Sequence, residues 1–76
     1  MKGITLDQIP LSQLTTVRHV KGDTDFVCRM YELGVIPGAL LTVANRAPFS
    51  GPLHLVTPRF SFFMRKTEAQ QIFCED

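Results

Sequence analysis

Several features that mark common classes of protein are missing from this chain of 76 residues. No apolar run approaches the ~20 residues that a transmembrane helix needs. The first five residues, Met1 to Thr5, contain no apolar signal core, and the acidic Asp7 follows them closely. We therefore expect a cytoplasmic chain without direct membrane insertion.

An excess of charge and the usual cysteine motifs are also lacking. Eight basic and seven acidic side chains give a formal net charge of +1, without the basic excess that is typical of nucleic-acid-binding proteins. Cys28 and Cys74 lie far apart and form no CxxC motif, so the sequence signals neither a zinc site nor a redox site. We predict reduced thiols, no nucleic-acid partner and no cofactor.

Recognisable catalytic patterns are absent as well. Asp23 and Asp25 suit the start of a helix, and no pair of carboxylates suggests general acid–base chemistry. No serine or cysteine has an activating neighbour, so we predict that the protein is not an enzyme. His19 and His54 are weak metal candidates, because each lies in a predicted strand without a second ligand nearby.

What the chain does contain is a series of short strand patterns around one helix. The segments predicted as strands are residues 15–20, 41–44, 53–57, 60–64 and 72–74. One amphipathic helix follows Asp23 between the first and second strands, and short helical turns are predicted at Thr5–Pro10 and Thr67–Ala69. About five short strands close best into a small barrel, which removes exposed edges. We predict a mainly β fold with residues 1–76 forming one domain.

The junction after the helix is the most informative segment of the sequence. Gly34 can adopt the left-handed backbone that ends a helix, at little steric cost. Pro37 and Gly38 suit the two central positions of a type II turn, because proline fixes the first φ and glycine tolerates the positive one. A strand pattern begins directly afterwards. Such a helix–turn–strand junction favours a small barrel that serves as a binding module.

Two loops carry apolar residues that are unfavourable in water, Val35-Ile36 and Pro48-Phe49. We expect one residue of each pair to pack inward, and the other either to pack within its loop or to add to an apolar interaction patch. The phenylalanines of the segment 60–63 are interpreted as core residues, with a base-stacking platform as the alternative.

The string Arg29–Gly38, RMYELGVIPG, resembles the signature of ferrous iron transport protein A, the FeoA family. The similarity continues through Ala47-Pro48, Gly51–Leu55 and Met64–Ala69. The resemblance implies an SH3-like β-barrel that binds the cytoplasmic portion of the ferrous iron permease FeoB, which carries a GTP-binding domain. The same type of domain occurs at the C-terminus of metal-dependent repressors, so a metal-sensing domain is the alternative.

We predict a partner-binding surface at the helix end and the neighbouring loop, because a few apolar anchors on rigid loops can dominate an affinity. The predicted surface consists of Leu33, Val35, Pro37, Pro48, Phe49 and Pro52. Gly34 and Gly38 are predicted to have a structural role in the turn. Self-association through an uncovered strand edge is a second expected contact. Binding to the permease would hold the chain at the inner membrane.

Overall fold

A computed structural model describes residues 3–59 and 61–75 of the chain. In chain order its elements are β1 (Ile4–Thr5), a 3-10 turn (Leu6–Gln8), β2 (Leu14–Val20), α1 (Thr24–Glu32), β3 (Leu40–Arg46), β4 (Leu53–Val56), β5 (Ser61–Met64), α2 (Lys66–Ala69) and β6 (Ile72–Cys74). The strands pair antiparallel in the order β1-β6-β2-β3-β4-β5. The mainly β class and the two short helical turns agree with the prediction.

Strand number and closure differ from the prediction. The described sheet has six strands where about five were expected, because β1 is only two residues long and shows no periodicity. Its partner is at the other end of the chain, with Ile4 opposite Cys74. The helix α1 therefore follows the second strand. Over residues 3–59 and 61–75 the edge strands β1 and β5 do not pair, so the sheet stays open.

The core is built from every second residue of the strands together with residues of the 3-10 turn and α1. Strands β2, β3 and β4 alternate between buried and more exposed positions, as a two-residue period requires. Leu6 and Ile9 are fully buried and belong to the core. The buried apolar set also includes Val17, Met30, Val35, Leu41, Val43, Leu53, Leu55, Met64, Ala69, Ile72 and Cys74. Phe60, which was predicted in this pattern, lies outside the described residues.

Helix α1 begins and ends where the local chemistry predicts. The carboxylate of Asp23 accepts a hydrogen bond from the backbone N–H of Phe26 at 2.9 Å, which satisfies one free donor of the first turn. At the other end Gly34 has a φ of 85°. The N–H of Gly34 donates to the Tyr31 carbonyl at 3.0 Å and the N–H of Val35 to the Met30 carbonyl at 2.8 Å. This is the Schellman arrangement, which requires a left-handed residue at Gly34.

The predicted turn at Pro37-Gly38 is also confirmed. Gly38 has a φ of 93°, and the N–H of Ala39 donates to the carbonyl of Ile36 at 2.9 Å. The turn is tied to β2 by the N–H of Gly38, which donates to the Val17 carbonyl at 2.7 Å. The helix end, the turn and the start of β3 are therefore held in one fixed arrangement.

Candidate functional site at the tip loop

The six residues predicted as one surface lie beyond opposite ends of β3. The first group, at the end of α1, is Leu33, Val35 and Pro37, and the second group, between β3 and β4, is Pro48, Phe49 and Pro52. A seven-residue strand such as β3 spans roughly 20 Å at about 3.3 Å per residue. The structure thus does not bring the six residues into one patch.

The first group contributes mainly to the core. Val35 is only 1% exposed, and Leu33 is half-buried against the core. The inclusion of Val35 in a free surface is therefore corrected, because its side chain already packs inside the protein. Pro37 is exposed and lines an apolar groove together with residues of α1, including Val27 and Tyr31.

The second group lies in a closed loop of residues 47–52, which we call the tip loop. The N–H of Ala47 donates to the Pro52 carbonyl at 3.0 Å, and the N–H of Gly51 donates to the Pro48 carbonyl at 3.1 Å. A Cβ added to Gly51 would lie 2.6 Å from the Cβ of Ala47, so a side chain there would force the loop to shift. Two backbone hydrogen bonds and two prolines therefore hold a compact loop at this end of β3.

Phe49 is the most exposed large apolar residue of this loop, with 99% of its surface accessible. Its φ of 58° places it in the left-handed region, as does the φ of 61° at Ser50. A bulky residue rarely adopts this conformation, which costs about 1–2 kcal/mol. Pro48 is exposed too, so the expectation that one residue of this pair packs inward is wrong. For the pair Val35-Ile36 the same expectation is confirmed, because the Val35 side chain is buried.

A cleft, which we call the tip cleft, lies between the tip loop and α2. Its outer part is an open cavity of about 390 Å³, and Ser50 and Lys66 connect it to an inner part of about 90 Å³. The outer part is also lined by Pro52, Arg65, Thr67 and Gln70, and the inner part by Asp7, Arg46, Ala47, Gly51 and Leu53. Residues from three separate stretches of the sequence thus meet here: position 7, positions 46–53 and positions 65–70.

Three cationic side chains line this cleft: Arg46, Arg65 and Lys66. None of the three forms an ion pair with a carboxylate in the part of the chain that the structure describes. The guanidinium of Arg46 donates a hydrogen bond to the backbone carbonyl of Ile9. Its Nε atom is buried and has no hydrogen-bond partner among residues 3–59 and 61–75. Arg46, which lines the inner part of the cleft, therefore carries a buried and unsatisfied donor.

Among the described residues, Asp7 supplies the one carboxylate in the wall of the cleft. It is 6% exposed and accepts hydrogen bonds from Thr5 Oγ1 at 2.5 Å, Gln8 Nε2 at 3.2 Å and Gln70 Nε2 at 3.4 Å. Burial acts to raise the pKa of Asp7, but these hydrogen bonds favour the ionised form more strongly and hold its pKa below the ordinary value. Asp7 is therefore a buried anion that protein hydrogen bonds stabilise.

Helix α2 is fixed relative to α1 by a single carboxylate. Glu68 accepts the backbone N–H of Arg65 at 3.2 Å through one oxygen, and its other oxygen pairs with the guanidinium of Arg29 on α1. Glu68 thus caps α2 in the manner of a capping box, where the sequence suggested only a capped turn at Thr67–Ala69. This arrangement sets the position of Lys66 beside the tip loop.

The two histidines lie on different strands and do not converge. His19, on β2, lies near the ring of Phe73 with centroids 6.2 Å apart, whereas His54, on β4, stacks on Phe63 at 4.8 Å. Strand β3 separates β2 from β4. Over the described ranges no three His, Cys, Asp or Glu side chains are grouped so that they could hold a metal ion.

None of the described helices is long and apolar enough to cross a membrane.

Comparison with known proteins places this geometry in context. The family model of the FeoA domain matches residues 4–76. The structure of an FeoA-like protein from Clostridium acetobutylicum is 24% identical with a TM-score of 0.85, and the match covers 99% of this chain and 87% of that one. A zinc complex of FeoA from Stenotrophomonas maltophilia, described as a procaryotic SH3 domain protein, is 23% identical with a TM-score of 0.76, covering 93% and 88%.

A second kind of protein shares the fold. A manganese-dependent transcriptional repressor is 18% identical with a TM-score of 0.84, and the match covers 95% of this chain and 40% of that one. A search of curated protein sequences gave no match. At these identities the structural likenesses show the fold alone, and they confirm that it is SH3-like.

Proposed function

We propose, since this chain belongs to the FeoA family, that it is a cytoplasmic accessory protein of ferrous iron uptake and docks on the cytoplasmic portion of the permease FeoB. Family membership supports the link to iron transport. The relative from Stenotrophomonas maltophilia is described as a candidate ferrous iron transport activating factor. The role of the chain is therefore to bind and regulate or support a transporter, without transporting iron itself.

The tip loop is the proposed docking element, and the exposure of Phe49 is the observation that carries this proposal. An aromatic side chain that is 99% exposed buries no apolar surface in the isolated chain. Its left-handed backbone is a strained conformation, and such conformations cluster at functional sites. A loop that is already closed by hydrogen bonds loses little conformational entropy on docking. A single buried aromatic anchor can supply much of an interface's affinity.

The alternative of a metal-sensing domain draws on the repressors that share the fold. Their likeness to this chain is limited to the fold, because the manganese-dependent repressor is only 18% identical. An anaerobic titration with ferrous iron tests this alternative directly. Saturable binding in the micromolar range would favour it over docking.

A pull-down with the purified cytoplasmic portion of the permease, with and without guanine nucleotide, tests the proposed function. The wild-type chain is expected to be retained in at least one nucleotide state. Two matched substitutions separate the ends of β3: Pro52→Ala in the tip loop is expected to weaken retention, and Pro37→Ala at the exposed turn is expected to leave it unchanged. Absence of retention in every nucleotide state would contradict the proposal.

A further inference from the structure

We propose that the tip cleft binds a carboxylate side chain of the partner protein while Phe49 packs against an apolar surface beside it. The inference rests on the proposed docking function and specifies the chemistry that the partner must present. It goes beyond the apolar anchors of the tip loop, because it assigns a polar half to the same interface. The partner segment would therefore combine an acidic residue with an apolar neighbour.

The charge of the cleft favours an anion. Arg46, Arg65 and Lys66 contribute three positive charges, and Asp7 contributes one negative charge, whereas the whole chain has a formal net charge of only +1. The carboxylate of Asp7 accepts hydrogen bonds from Thr5 and two glutamines and forms no ion pair with these cations among the described residues, but its negative charge offsets one of their three positive charges. The cleft thus presents unpaired cations to a ligand.

The inner part of the cleft contains the most specific feature. Arg46 Nε is buried without a partner among the described residues, while the same guanidinium is held in place by its bond to the Ile9 carbonyl. Buried polar groups are almost always hydrogen-bonded, so an unpaired buried donor calls for an acceptor. A ligand oxygen in the inner part would meet this need once the Arg46 side chain shifts to expose Nε.

A carboxylate fits this cleft better than a phosphate does. The inner part has a volume of about 90 Å³ and shares its wall with the ionised Asp7, which repels a dianion more strongly than a monoanion. The planar guanidinium of arginine pairs with a carboxylate as readily as with a phosphate, so the preference for a carboxylate rests on charge. Lys66, at the junction of the two parts, can add a charge-assisted hydrogen bond from the other side.

A chemical-shift titration of the isolated, ¹⁵N-labelled chain tests the cleft without the permease. Sodium acetate, compared with sodium chloride at equal ionic strength, is expected to shift the amides of Ser50, Gly51, Lys66 and Gln70 in a saturable manner. Shifts that are equal in chloride, or that spread over the whole surface, would overturn the proposal. Sodium phosphate is the third arm, and saturation of the same amides at lower phosphate than acetate concentration would overturn the assignment to a carboxylate.

Matched substitutions then connect the cleft to the partner. Lys66→Gln is expected to weaken both acetate binding and permease binding about tenfold, as expected for the loss of one charged hydrogen bond. Lys21→Gln removes the same charge from an exposed position outside the cleft and is expected to change neither. Should Lys66→Gln fold poorly, Arg65→Gln with Arg18→Gln as its control provides the same comparison at exposed positions.

The two proposals fail in different ways. If the permease binds the wild type and Lys66→Gln equally well, the carboxylate assignment is wrong and the docking function stands. If the permease binds neither chain, the docking function is wrong, and the partner assignment falls with it. In that case the acetate arm still decides whether the cleft accepts a carboxylate.

Discussion

Gln70, at the end of α2, donates a hydrogen bond from Nε2 to a carboxylate oxygen of Asp7 in the 3-10 turn at 3.4 Å, across 63 positions of sequence. Asp7 also takes hydrogen bonds from its neighbours Thr5 and Gln8. The N-terminal turn and the C-terminal helix are therefore joined at the wall of the tip cleft. The protonation state of the buried Asp7 carboxylate therefore affects both the stability of the fold and the geometry of the proposed site.

The first prediction concerns pH. Since the folded pKa of Asp7 lies below its unfolded value, the carboxylate stabilises the fold fully above the unfolded pKa of about 3.9 and loses this contribution as the pH falls through the folded pKa. Asp7→Asn is expected to lower the free energy of unfolding by about 1–2 kcal/mol at neutral pH, and by less below pH ~4. Urea denaturation of both proteins at several pH values measures this. If the free energy of unfolding of the two proteins differed by the same amount at every pH down to ~2, the prediction would be contradicted.

The second prediction concerns the two thiols. Burial raises the pKa of Cys74 to about 11, whereas Cys28 is exposed on α1. Only about one thousandth of the Cys74 thiol is then ionised at pH 8, and the thiolate is the reactive form. Ellman's reagent at this pH is expected to modify one thiol per folded chain, and both after unfolding. Cys28→Ser is the control and should abolish the fast reaction, whereas two equally fast thiols in the wild type would refute the prediction.

The third prediction isolates backbone conformation at Gly38. Its φ is +93°, and no atom lies within 4 Å of an added Cβ, so a side chain meets no steric obstacle. Gly38→Ala is nevertheless expected to cost about 1–2 kcal/mol, because residues with a Cβ disfavour positive φ. Gly38→Asn should cost less, since asparagine tolerates this region better. The urea midpoints of the three chains test this order, and an unchanged midpoint for Gly38→Ala would refute it.

The fourth prediction separates folding from docking at Phe49. Phe49→Gly removes a fully exposed side chain and relieves the left-handed strain at φ 58°. The free energy of unfolding is expected to stay constant or to rise by up to about 1 kcal/mol. Thermal and urea denaturation measure it. A loss of more than about 1 kcal/mol would mean that Phe49 supports the fold, which removes the reason to regard it as a docking residue.

Local chemistry explains what the sequence could predict. Asp23, Gly34 and Pro37-Gly38 specify a cap, a helix end and a turn through their own side chains and backbones, and all three are found where predicted. The two-residue alternation also predicted strands over residues 41–44 and 53–57, where β3 and β4 are found. These features depend on neighbours within a few positions, which a sequence displays directly.

What the sequence could not predict depends on distant neighbours. Strand β1 exists because Ile4 pairs with Cys74, and two residues show no pattern of their own. The six residues of the predicted surface do not form one patch, because β3 lies between residues 33–37 and residues 48–52, although the two groups are close in sequence. The tip cleft was missed because Arg46 and Lys66 come to line the same cavity only in the folded chain. The compositions of their separate segments carry no signal of that meeting.

Calorimetry with the cytoplasmic portion of the permease tests the central claim, which is that the chain docks through Phe49. Phe63 is the matched control, because it is also an exposed phenylalanine, but on the edge strand β5. We predict that Phe49→Ala weakens the affinity at least about thirtyfold, as loss of an interface hot spot does, while Phe63→Ala binds like the wild type. An unchanged affinity for Phe49→Ala in a folded chain would contradict the claim.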